Sequence, residues 1–107
     1  MKRRTTPTLT ISIPKVEIED VKSIDFLFKN IHSEKASPII KKSYPDGVKF
    51  DANAKCFMLT FTEKETLLFT SDKAFMDTRI CLQNGNIPPT NIVTINVDST
   101  LFGDDDI

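Results

Sequence analysis

The stretch Cys56-Phe57-Met58-Leu59-Thr60-Phe61-Thr62-Glu63-Lys64-Glu65-Thr66-Leu67-Leu68-Phe69 changes its period halfway along. In the first half Phe57, Leu59 and Phe61 alternate with Met58, Thr60 and Thr62, as in a strand that buries one face. In the second half Thr62 is followed three residues later by Glu65. That spacing predicts a capping box, in which each side chain satisfies a backbone N–H at the start of a helical turn. Leu67, Leu68 and Phe69 then provide apolar surface, with Leu67 and Phe69 expected to close the core. A half-buried strand that ends in one turn of helix reads as a corner between two layers of a β protein.

Working outward, short alternating segments recur on both sides. Leu9, Ile11 and Ile13 alternate with Thr8, Thr10 and Ser12 until Pro14, which cannot donate into a ladder, ends the first strand. A charged connection from Lys15 to Asp20 leads into a second strand from Val21, with Ile24, Phe26 and Phe28 on one face. Leu27 breaks that alternation, which suggests that the outer face is partly covered. His32 to Ser37 is polar and turn-like. Ile39 to Tyr44 reads as a third strand, and Lys41 and Lys42 mark it as an edge guarded against unwanted pairing. Pro45-Asp46-Gly47 is a turn by its residue chemistry. Val48 to Phe50 is a short fourth strand, and Asp51 to Ala54 turns into the stretch quoted above.

Beyond Phe69, Met76, Thr78, Ile80 and Leu82 share one face of a long sixth strand from Ala74 to Gln83. Asn84-Gly85-Asn86 ends it, and Pro88-Pro89 prevents immediate pairing. Thr90 to Val97 is the last strand, with Val93, Ile95 and Val97 inward. Seven short strands with regular turn signals predict an all-β fold, a seven-stranded antiparallel immunoglobulin-like sandwich with its helical turn between the fifth and sixth strands. A barrel of similar size is the competing plan. The expected core comprises Phe26, Phe28, Phe57, Leu59, Phe61, Leu67, Phe69, Ile80, Leu82, Val93 and Ile95. The organisation expected is a flexible basic arm at 1–7, one domain at 8–102 and an acidic tail at 103–107.

Composition bounds the function. The chain has 107 residues, enough for a single core without metals or disulfides, and its eight Phe dominate the apolar content. Fourteen basic against fifteen acidic side chains give a net charge of −1, so no overall field draws the protein to nucleic acid or anionic lipid. The two cysteines, Cys56 and Cys81, are each out of step with their apolar neighbours. Both are expected on outer faces, as reduced thiols rather than a bridge. Lys2-Arg3-Arg4 is not followed by the apolar run of a signal peptide. No segment approaches the roughly 20 apolar residues that span a bilayer.

Candidate chemistry is sparse. His32, the only histidine, sits in a polar turn without a nucleophile beside it. Cys56 and Cys81 are too isolated for a zinc site. Asp104, Asp105 and Asp106 lack the alternating ligands and glycine turn of a calcium loop. Glu63 fits the helix dipole and Glu65 the capping box, so neither needs an acid–base role. Lys2, Arg3, Arg4, Lys41 and Lys42 could line a phosphate patch, but no aromatic platform interleaves with them. The residues therefore predict a non-enzymatic protein with no cofactor, no metal, no nucleic acid and no membrane.

Several segments resemble small proteins encoded in prophages of Gram-positive gut bacteria. Arg3-Arg4-Thr5-Thr6-Pro7-Thr8-Leu9-Thr10 matches their opening, without the glycine that often precedes the threonines. Leu59-Thr60-Phe61-Thr62 and Thr66-Leu67-Leu68-Phe69 match their central Leu-Thr-x-Thr and Thr-Leu-x-Phe. Arg79-Ile80 and the acidic tail that ends in Ile107 complete the match. More distantly, the chain is similar to the N-terminal sandwich domain of phage baseplate proteins that hold receptor-binding proteins. The resemblance implies a tail or baseplate component that contacts other phage structural proteins, forms part of an oligomeric assembly, and passes from bacterial cytoplasm to virion. It brings no catalytic residues. A module that binds carbohydrate or a host surface is the alternative, although the chain has no Trp and one Tyr, Tyr44.

Overall fold

The computed structural model describes residues 4–14, 16–33 and 35–97. Its strands are β1 (Thr8–Ile11), β2 (Val21–Lys29), β3 (Ile40–Tyr44), β4 (Lys49–Asp51), β5 (Cys56–Thr60), β6 (Lys73–Leu82) and β7 (Val93–Asn96), with a 3-10 turn at Ile18–Asp20 and a helical turn α1 at Glu63–Thr66. All pairings between these strands are antiparallel. One sheet has the order β1-β5-β4 and the other β3-β2-β6-β7. The last residues of the expected domain, 98–102, and the tail at 103–107 lie outside the described residues.

The strand order differs from that of an immunoglobulin constant-type sandwich. That plan groups the first, second, fourth and fifth strands in one sheet. Here β2 lies between β3 and β6, and β5 lies between β1 and β4. The two longest strands, of nine and ten residues, thereby pair with each other from Val21↔Leu82 to Lys29↔Phe75, with one irregularity between Val21 and Ser23. Central placement suits β2, whose Ile24, Phe26 and Phe28 are fully buried.

The faces follow the sequence periodicity. Phe57, Leu59 and Phe61 are buried, Met58 is half-buried and Thr60 is exposed. Rings from the two sheets meet across the core: Phe26 and Phe57 have centroids 5.9 Å apart, and Phe28 meets Phe61 edge to face at 5.1 Å. Each large buried side chain contributes roughly 2 to 3 kcal/mol by removal from water. Among the expected core residues, Phe26, Phe28, Phe57, Leu59, Phe61, Phe69 and Ile80 are buried, while Leu82 and Ile95 pack against the cluster half-buried.

Two expected core residues are on the surface. Leu67 is 47 % exposed and Val93 is 48 % exposed. For Leu67 the cause is local, because Thr66 and Phe69, three residues apart, take the inward side of the turn and leave Leu67 and Leu68 outside. Val93 keeps the inward phase. It pairs with buried Met76, as Ile95 pairs with buried Ala74, so both face inward. Among the described residues no strand of the facing sheet covers Val93.

Cys56 keeps its outward phase but is buried rather than lying on the sheet surface. Its register with Asp51 still places it on the face opposite Phe57. A small side chain beside the tight turn at 52–55 needs little neighbouring mass to lose contact with water. Cys81 is half-buried in the other sheet, and both thiols are free.

Local chemistry explains the connections. Gly47 adopts φ +98°, which the Pro45-Asp46-Gly47 turn requires, and Val48 N–H donates to Ser43 O at 3.1 Å. On the outer face of β2, Leu27 is half-buried and Lys29 reaches the loop that follows. Lys29 is 3 % exposed there, donating to Ser33 O at 3.1 Å, with Asp77 Oδ2 at 3.6 Å. The His32 ring stands edge-on to Phe75 at 5.2 Å.

Candidate functional site

The corner after β5 forms as its sequence requires. Thr62 Oγ1 accepts from Glu65 N–H at 3.1 Å, and Glu65 Oε1 accepts from Thr62 N–H at 2.8 Å. Lys42 of β3 completes the arrangement. Its Nζ donates to both Glu65 oxygens, at 2.7 and 2.8 Å, and lies 5.0 Å from the Phe61 ring centroid. Burial alone would raise the Glu65 pKa. The hydrogen bonds from Lys42 and Thr62 and the Lys42 charge outweigh it and hold the carboxyl below its ordinary value. Glu65 is thus committed to structure.

The same contact separates the two lysines of β3. Lys42 pairs with buried Phe26 and shares its inward face, whereas Lys41 is exposed. They do not combine into the phosphate patch considered from sequence; Lys2 and Arg3 lie outside the described residues. Arg4 N–H donates to Thr66 Oγ1 at 2.9 Å, and Pro7 O accepts from Phe61 N–H at 3.0 Å. Residues 4–7 are therefore tied to the corner, although the sequence reading assigned them to a loose arm. His32 lines a hollow with Ser33, Thr90 and Asn91, and Glu63 is exposed in the first turn of α1; among the described residues no three His, Cys, Asp or Glu side chains gather as a metal site. Asp104, Asp105 and Asp106 fall outside the described residues. No described helix is long and apolar enough to cross a membrane.

The surface feature that stands out arises from unequal sheets. On one flank Tyr44 of β3 and Phe50 of β4 both pack on Phe57, so β4 covers the β3 side. On the other flank Ile11 and Ile13 come over Met76, Thr78, Ile80 and Leu82 of β6. Among the described residues no strand of the three-stranded sheet lies over β7. The resulting cleft has a volume of about 450 Å³; Val16, Val93, Pro88 and Pro89 complete its apolar walls, and Glu17 and Asp20 stand at its rim. A second hollow, of about 560 Å³, opens beside Phe50, Phe57 and the segment from Ser12 to Glu19.

Among the described residues no strand pairs with the outer side of β1, whose Ile11 borders the cleft. Because Phe61 N–H bonds Pro7 O, the antiparallel register directs the backbone groups of Leu9 and Ile11 toward β5. The N–H and C=O groups of Thr8 and Thr10 then point to the free side of β1. Sequence reasoning did not locate this site. The available signal was the Pro88-Pro89 pair, which keeps the chain after β6 from pairing over the full strand; Thr90 Oγ1 instead donates to Thr78 O.

Comparison with protein-family models, curated proteins and solved structures finds no match to this chain.

Proposed function

We propose that the protein is a non-enzymatic, phage-derived structural or assembly module that works by contacting other proteins in a tail or baseplate. The observation that carries this reading is the apolar cleft beside an open strand edge, a feature suited to a polypeptide partner. The matched segments at Arg3 to Thr10, Leu59 to Thr62 and Thr66 to Phe69 provide the phage assignment. In the same reading the two sheets are a sandwich related to immunoglobulin-like modules, with the second strand exchanged between sheets.

A carbohydrate-binding role calls for an exposed aromatic face. Tyr44, Phe50 and Phe75 are half-buried, and Tyr44 packs edge to face on Phe57 at 5.1 Å. No observation favours that alternative over protein contact. Mass spectrometry of purified particles from an induced lysogen tests the assignment: the chain should be present in stoichiometric amount, and its absence from intact particles would rule out a virion component.

A further inference from the structure

We propose that the free edge of β1 accepts one extended strand from another polypeptide, whose apolar side chains fill the cleft above β6 and β7. This deepens the reading of the protein as a partner-binding module and rests on it. Among the described residues the three-stranded sheet is one strand short of the sheet it covers. The shortfall leaves inward-facing Val93 48 % exposed and opens the cleft between Ile11 and Met76. A strand paired to Thr8 and Thr10 would occupy that position, with alternate side chains directed at Met76, Ile80 and Val93.

The geometry selects the occupant. β1 of a second copy already directs its inward Leu9 and Ile11 at its own core, so it has no apolar side chains left to fill the cleft. Within this chain, residues 1–7 offer no alternating apolar side chains, and Arg4 N–H is already bonded to Thr66. Residues 98–107 carry Asp98 and three further aspartates, the same sign as Glu17 and Asp20 at the rim. The partner is therefore a different polypeptide, with apolar residues at every second position and a Lys or Arg that reaches Glu17 and Asp20. Antiparallel pairing places that cation at the amino end of the added strand, since β1 runs toward Glu17.

A capped heptapeptide alternating valine and threonine, with lysine at its amino end, serves as the probe. Titrated into the full chain and followed by amide NMR, it should shift Thr8 and Thr10. N-methylation of alternate peptide amides should abolish binding in one phase and spare it in the other, because only one set of amides faces β1. Replacing the peptide lysine with glutamate should weaken binding about tenfold at low salt, and the double variant Glu17→Lys, Asp20→Lys should reverse that preference. Val93→Lys, at a half-exposed position and with its fold checked by circular dichroism, should also weaken binding about tenfold. No binding of the lysine peptide up to about 1 mM, equal tolerance of both methylation phases, or unchanged binding by Val93→Lys would overturn the proposal. These outcomes do not depend on whether the chain is found in phage particles, so the strand site and the virion assignment fail separately.

Discussion

Lys42 Nζ lies 2.7 Å from Glu65 Oε1 and 2.8 Å from Glu65 Oε2, which ties an edge strand of one sheet to the crossover that leaves the other. The lysine faces inward from β3 with its ammonium against Phe61, so it also spoils that edge for pairing with a foreign strand. One edge is thus guarded while the edge of β1 stays open. Lys42→Ala should destabilise the protein by about 1 to 2 kcal/mol, combining a part-buried ion pair with the ring contact. Lys42→Met keeps the aliphatic stem and should lose less. Urea denaturation of the two variants measures the difference; equal losses would show that packing of the stem contributes nothing.

Acid should weaken the same corner. The folded state holds Glu65 below its ordinary value of 4.5, so its contribution is complete above that value and is lost as pH falls through the lower, folded pKa. Glu65→Gln has no such titration. The stability gap between the native protein and Glu65→Gln, read from denaturant midpoints, should therefore be widest near neutrality and narrow as pH drops below 4.5. A gap that is constant across this range would contradict the ion pair.

Removing the other half of the capping box should be felt as well. Thr62→Ala deletes the acceptor for Glu65 N–H and should cost about 1 kcal/mol. Thr62→Ser retains the hydroxyl and should stay within about 0.5 kcal/mol of the native protein. Thermal unfolding of both variants separates the cap from any other effect of the position.

The phase of β5 makes a larger prediction. Phe57→Ala and Phe61→Ala each empty a buried ring site and should cost about 3 to 5 kcal/mol, whereas half-buried Met58 should lose much less on the same change. At the cleft, Val93→Ala should cost under about 1 kcal/mol while its cross-strand neighbour Met76→Ala costs about 2 to 5. Comparable losses at Val93 and Met76 would mean that the cleft is closed in solution.

Much of this architecture is legible in residue order because it follows from local periodicity. Phe57, Leu59 and Phe61 declare their face by alternation, and Thr62 with Glu65 declares the corner by spacing. Burial that depends on the opposing layer is not written locally. Val93 carries the inward phase, yet only the strand count of the facing sheet decides whether it is covered. Leu67 lies in a single helical turn, too short for a period to show that Thr66 and Phe69 take the inward side. Lys42 looks like a solvated edge lysine beside Lys41, and its inward role depends on Glu65 arriving from 23 residues away. The placement of β2 between β3 and β6 likewise depends on which distant strand offers the longest partner.

The central claim is that β1 has an open edge beside the cleft, and residue-resolved amide hydrogen exchange in the free protein tests it most directly. Leu9 and Ile11 amides, directed at β5, should be protected, while Thr8 and Thr10 amides should exchange at rates close to those of exposed loops. Protection of Thr8 and Thr10 at the level of Leu9 and Ile11 would contradict the account, because another segment would then already occupy the edge.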